Sequence, residues 1–136
     1  MTIKTKTTLD LIAHATATIL LCLWMPEKWV WFVIGGVLVD TDHAIDFLLW
    51  GEPLNFMDFF TGKFLESGNV YLFFHDWILA LIISWFNPYL GTAMLIHLCI
   101  DQVSKRNPLA LFLIYRWSEG WKVSEILPER RQVKWK

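Results

Sequence analysis

The chain has 136 residues, which is room for one domain. It is 55 % hydrophobic and only 18 % charged, with nine Trp, ten Phe and a mean hydropathy of +0.41. Soluble domains sit at roughly 45–50 % apolar with about 25 % charge, so the balance argues against an ordinary soluble domain and for a membrane protein. The formal net charge of −1 is uninformative overall, but the charges are unevenly placed. No basic groove interleaved with aromatics suggests nucleic-acid binding, so no nucleic-acid partner is expected.

Lys4 and Lys6 precede an apolar run, as in a signal peptide, but no small-x-small cleavage site comes before Trp24-Met25-Pro26. The segment is therefore expected to remain as the first helix. Four apolar segments follow one another: 9–25, 29–50, 70–86 and 89–103, punctuated by Pro26, Gly51-Glu52-Pro53 and Asn87-Pro88. The expected fold is all-α: an integral membrane four-helix bundle, compact because several segments fall short of the roughly 20 residues of an untilted span. Cys22 and Cys99 lie in apolar runs without CxxC spacing, so reduced, buried thiols are expected, with no disulfide.

Charge sets the topology. Lys4 and Lys6 stand before the first helix; Lys105 and Arg106 follow the fourth, and Lys122, Arg130, Arg131, Lys134 and Lys136 come after. The positive-inside rule puts both termini in the cytoplasm, with the turns at 26–28 and 87–88 outside. Trp24, Trp29, Trp31 and Trp85 flank those turns as an interfacial belt would. Between the second and third segments, Phe56, Phe59, Phe60 and Phe64 recur at helical spacing. Residues 54–67 are expected to form a short amphipathic helix on the membrane surface, or else a core-packing helix. Residues 109–115, after Asn107-Pro108, are too short to span and are expected at the interface or re-entering. Residues 1–121 thus read as one helical membrane domain and 122–136 as a basic cytoplasmic tail.

The four histidines, His14, His43, His75 and His97, fall one to each apolar segment. Counted from the proposed outer ends at about 1.5 Å per residue, His14 and His75 both lie roughly 16 Å in. Asp40, Asp42 and His43 reach a similar or slightly greater depth, and His97 and Asp101 bracket it. Helices of alternating direction would bring these groups to one layer. Spacing agrees: His97 with Asp101 and Asp42 with Asp46 are i, i+4, and His43 is i, i+3 from both Asp40 and Asp46. Asp10, four before His14, is placed to orient that imidazole.

Imidazoles and carboxylates together suit zinc, manganese or iron, and a carboxylate-rich subset suits magnesium. A cation compensates buried carboxylates that would otherwise be neutralised, and ionisable residues inside a membrane are a functional-site hypothesis by default. The expected ligands are Asp42, His43, His97 and Asp101, with His75 and His14 as further candidates. The competing readings are a proton relay or ion-pair network, and core histidines satisfied by hydrogen bonds.

The order His14, then Asp40-Thr41-Asp42-His43, then His75, then His97-Leu98-Cys99-Ile100-Asp101 resembles the membrane-bound metal-dependent hydrolases, a family of inner-membrane enzymes. The likeness covers about residues 10–121 and includes Gln102, Asn107 and Leu111-Phe112-Leu113-Ile114-Tyr115-Arg116-Trp117, similar to a YFxxYR-like element of small relatives. It implies a helical hydrolase with metal ligands at these positions and kinship with zinc-dependent phospholipases. Where many relatives follow the third histidine with a small hydroxyl residue, this chain has Asp76. His43, His75-Asp76 and Asp101 also satisfy the looser H…HD…D order of HD-type phosphohydrolases.

On the hydrolase reading a bound divalent metal, zinc first, activates water. Asp40 or Asp46 serves as general base. Arg116, with Lys105 and Arg106, clamps a phosphate, the same three basic residues reading equally as a positive-inside anchor. Depth in the cytoplasmic half of the bilayer favours a membrane lipid or lipid-linked phosphate as substrate. The rival is a non-catalytic membrane protein with a structural or transported metal ion, or a small scaffold subunit.

Overall fold

The computed structural model describes residues 3–51, 53, 65, 67–105 and 107–126, and among these the chain is helical with no β-strand. Its one β feature there is an antiparallel bridge between Asn69 and Lys122. Helix α1 spans Ile3–Trp24. A 3₁₀ turn, Pro26–Lys28, starts on a proline whose missing N–H costs a first turn nothing, and leads into α2, Trp29–Gly36.

The second apolar segment, expected as one helix, is broken. After α2 comes a 3₁₀ turn, Leu38–Thr41, and then α3, Asp42–Trp50, which closes on Gly51 at φ +81°. Two glycines bring the end of α2 against its neighbours. A Cβ on Gly35 would stand 2.6 Å from the Leu90 carbonyl oxygen, and one on Gly36 would stand 2.2 Å from Thr18 Oγ1. Past this point the Asp40 N–H bonds the Val37 oxygen at 3.3 Å rather than the Gly36 oxygen four residues back. The Gly36 carbonyl is thereby left for another donor.

Gly35→Ala is expected to destabilise the protein by about 1–3 kcal/mol, because the methyl meets main chain that has no rotamer to move. A thermal-melting midpoint equal to wild type would show that the two helices separate without cost.

The third segment is helical only in its second half. Residues 70–76 are irregular, with Leu72 at φ +43°, and α4 spans Trp77–Phe86. Asp76 caps it, Oδ1 accepting from the Leu79 N–H at 2.8 Å. Asn87 caps α5, Pro88–Ser104, accepting from the Leu90 N–H at 3.1 Å. Two short helices follow, α6 (Leu113–Ser118) and α7 (Val123–Ile126). Residues 109–115, expected at the interface or re-entering, form a turn running into α6.

Helices α1, α2 and α4 all pack on α5, and α1 also packs on α2. One apolar cluster joins Val39, Ala80, Met94, Leu98 and Leu111; a second joins Phe47, Leu65, Val70, Leu72, Ala110, Val123 and Ile126. The packed chain therefore continues through Ile126, whose carbonyl accepts from Asn107 Nδ2 at 3.1 Å. Of the expected surface helix at 54–67, only Leu65 and Ser67 fall within the described residues. Arg106 and the tail at 127–136 lie outside them.

The outward faces are strongly apolar. Ile19, Leu20, Leu23 and Trp24 on α1 and Leu81, Ile82, Trp85 and Phe86 on α4 are exposed, Trp85 at 87 %. Among the described residues no single helix is long and apolar enough to cross a membrane; Leu9–Trp24 and Pro26–Leu49 pass that test only as a pair bent by 118°. Both cysteines are free thiols, but the burial expected for them is not found: Cys22 is half-buried and Cys99 exposed. Helix α5 turns His97, Leu98 and Asp101 inward, which leaves the residue between them facing out.

Candidate metal centre

The site is assembled from five places: His14 on α1, Asp40 in the break after α2, Asp42 and His43 on α3, His75 in the irregular loop, and His97 with Asp101 on α5. Three of the imidazoles are tethered at Nδ1. His14 Nδ1 lies 2.8 Å from the Asp10 main-chain oxygen, one helical turn earlier. His97 Nδ1 lies 3.1 Å from the Gly36 oxygen that the helix break leaves available. His75 Nδ1 lies 3.0 Å from Asp42 Oδ2, which also accepts from the Phe74 N–H at 2.8 Å. These partners are acceptors, so Nδ1 carries the proton. In the neutral rings of His75 and His97, Nε2 is then the free ligand atom, with its lone pair bare, whereas His14 Nε2 also meets an acceptor, the His97 main-chain oxygen at 3.3 Å.

Those lone pairs converge on carboxylates. His75 Nε2 is 3.3 Å from His97 Nε2 and 3.1 Å from Asp40 Oδ1. His97 Nε2 and His43 Nε2 each lie 3.3 Å from the same Asp40 oxygen. On the other side, His14 Nε2 stands 3.5 Å from Asp101 Oδ1, and His75 Nε2 stands 3.6 Å from Asp101 Oδ2. In neutral rings those lone pairs face carboxylate oxygens. That repulsion is relieved either by a shared cation or by a second proton on His75, whose two nitrogens meet Asp42 and Asp40. Nδ1 tethering is how metal-bound histidines are oriented.

Two adjacent groups, with no residue in common, can hold a metal ion: Asp40–His43–His75 and His14–His97–Asp101, each with its donor atoms within 4.8 Å of one another. They differ in access. His14, His97 and Asp101 are buried, whereas the side chains of Asp40 and His43 are 35 % and 21 % exposed. The first group is the open one.

The remaining candidates are placed elsewhere. Asp42, fully buried, has one oxygen engaged with His75 and the Phe74 N–H, so in this arrangement it orients a ligand; its Oδ1 has no hydrogen-bond partner among the described residues. Asp46 Oδ1 accepts from the Tyr71 N–H at 2.8 Å and fixes the start of the irregular loop. Asp76 is engaged with the Leu79 and Leu113 N–H groups, so the His75-Asp76 pair does not present both side chains to the cluster.

Arg116 is not brought to the cluster either. It is 1 % exposed and donates to three main-chain oxygens: His75 at 2.9 Å and Ala110 at 2.8 Å through Nη1, and Leu72 at 2.8 Å through Nη2. Burial pushes its guanidinium down to about 10, against the opposing pull of Asp76, Asp42 and Asp46. At neutral pH it remains charged.

The cation that does reach the cluster is Lys105, whose Nζ lies 2.8 Å from Asp101 Oδ2. Read as an anchor or phosphate clamp, it carried a simpler signal, since Asp101 and Lys105 are i, i+4 on one helix face. The tether from Gly36 to His97 had no sequence signal, because it exists only through the break. No family model matches the chain, and neither a curated protein nor a solved structure matches it.

Proposed function

We propose that this chain is a membrane-seated, metal-dependent hydrolase of phosphoesters, with a membrane lipid or lipid-linked phosphate as its substrate. The observation that carries the reading is the convergence of Nε2 lone pairs from His75 and His97, both held at Nδ1, on Asp40 Oδ1. That donor set suits zinc, with manganese, iron or magnesium as alternatives. When bound, such an ion supplies a water of lowered pKa and polarises the scissile phosphoester.

The chain's own residues divide the remaining work. His43 and His75 with Asp40 would hold the ion, His97 faces the same Asp40 oxygen, and Asp42 and the Gly36 carbonyl keep His75 and His97 turned toward it. Of the two candidate bases, Asp40 is the one with access to solvent, because Asp46 is 3 % exposed and bonded to the loop. Asp40 is thus the carboxylate positioned to take a proton. The exposed Leu, Ile, Trp and Phe side chains on α1 and α4 support seating in a bilayer, with the turns at 26–28 and 87–88 toward the outer face and both termini in the cytoplasm.

The test is a panel of phospholipids and polyprenyl phosphates incubated with metal-loaded and chelated protein. Metal-dependent release of phosphate or headgroup is expected from at least one substrate, and Asp40→Asn is expected to abolish it. A second reading has its own support: the burial of His14, His97 and Asp101 favours a structural ion. Absence of turnover across the panel, together with loss of structure on chelation, would establish that reading instead. Ion movement across liposomes carrying the protein would make it a transporter.

A further inference from the structure

The surroundings of Asp101 bear on how many ions the cluster takes, an inference that rests on the metal-site reading above. Buried carboxylates need compensation, and three here receive it away from the cluster's centre. Asp42 accepts from His75 and the Phe74 N–H, Asp46 from the Tyr71 N–H, and Asp76 from the Leu79 and Leu113 N–H groups. The buried Arg116 guanidinium adds charge close to all three.

Asp101 has a resident cation, because Lys105 Nζ sits 2.8 Å from its Oδ2 and both side chains are largely buried, at 15 % and 12 % exposure. Asp40 is the exception. Among the described residues it faces His43, His75 and His97 at 3.1–3.3 Å, with no ammonium or guanidinium bonded to it. A divalent ion on the Asp101 side would meet a primary ammonium already bound to the same carboxylate. One on the Asp40 side meets the ring nitrogens and that carboxylate, with no ammonium bonded to it among the described residues.

We propose that Lys105 takes the place of a second metal ion at Asp101, so that the cluster holds one ion, at Asp40, His43 and His75, a group complete without His97. The lysine keeps the His14–His97–Asp101 half closed.

Zinc content settles this, measured by elemental analysis after equilibration with zinc and removal of the excess. One zinc per chain is expected in the wild type and in Lys105→Arg, which keeps the charge. Two are expected in Lys105→Met, which keeps the length and removes it. Two zinc ions in the wild type, or one in a natively folded Lys105→Met protein, would overturn the assignment. Should Lys105→Met fail to fold, Asp101→Asn decides: it removes a donor from the closed half only and is expected to retain one zinc, and loss of that zinc places the ion in the wrong half. Zinc absent from every one of these proteins would sink the metal reading itself, an outcome distinct from a misplaced ion.

Discussion

Replacing Arg116 with methionine is expected to abolish the native fold, although the residue lies in a short surface-proximal helix. Its two terminal nitrogens donate to three main-chain oxygens, those of Leu72, His75 and Ala110, at 2.8–2.9 Å. Methionine fills much of the volume and satisfies none of them. Each buried acceptor left without a donor costs about 1–3 kcal/mol. The Leu72 oxygen keeps the His75 N–H at 3.2 Å. Orphaning the other two, and stripping a cation from among Asp42, Asp46 and Asp76, still reaches a large part of the roughly 5–15 kcal/mol that holds a typical protein together. Arg116→Lys keeps the charge without the planar fork, so it is expected to be less damaging but still clearly destabilised. Circular dichroism melts of the three proteins measure this. Because the lost bonds include the His75 carbonyl, Arg116→Lys is also expected to bind zinc more weakly than wild type. A lysine variant with wild-type melting and wild-type zinc affinity would show that the carbonyls find other donors.

Chelation is the second large effect. If the cluster's ion binds only the folded chain, its removal lowers stability by the logarithm of its saturation, about 2.7 kcal/mol for an ion at a hundred times its dissociation constant. For a chain of this size that corresponds to a fall in melting temperature on the order of 10 °C. The same fall is expected in a His43→Ala/His97→Ala double variant, in which adding a chelator should then change nothing further. A wild-type melt unaffected by chelator, with no metal in the purified protein, would mean that the carboxylates are balanced by protonated imidazole. His75, set between Asp40 and Asp42, is the ring placed to do so.

Much of this arrangement was legible in the residues. Helical class followed from period and punctuation, and Pro26 and Asn87-Pro88 mark helix boundaries where their chemistry says they should. One histidine in each apolar segment pointed to His14, His43, His75 and His97 together with Asp40 and Asp101, and the structure brings these side chains close to one another. Other features were hidden because they depend on non-local partners. Val70 to Asp76 is apolar enough to read as helix, yet it is held irregular by Asp46, Asp42 and Arg116 from distant segments. Arg116 in a sequence looks like any basic residue after a membrane segment. Only packing reveals that its donors are turned inward, and the sense of Cys99 is fixed by which side of α5 its neighbours need.

The interruption between Gly36 and Asp42 bears on any attempt to improve the protein. A stability-driven redesign would straighten residues 29–50, replacing the glycines with good helix formers and restoring every i to i−4 bond. In a continuous helix the Gly36 oxygen belongs to the Asp40 N–H, and His97 loses the acceptor that fixes its tautomer. Asp40 would also rotate with the regularised backbone, away from the oxygen position that three imidazoles now share. The defect and the binding chemistry are one object, so a more ideal backbone here makes a sturdier molecule with less to offer an ion.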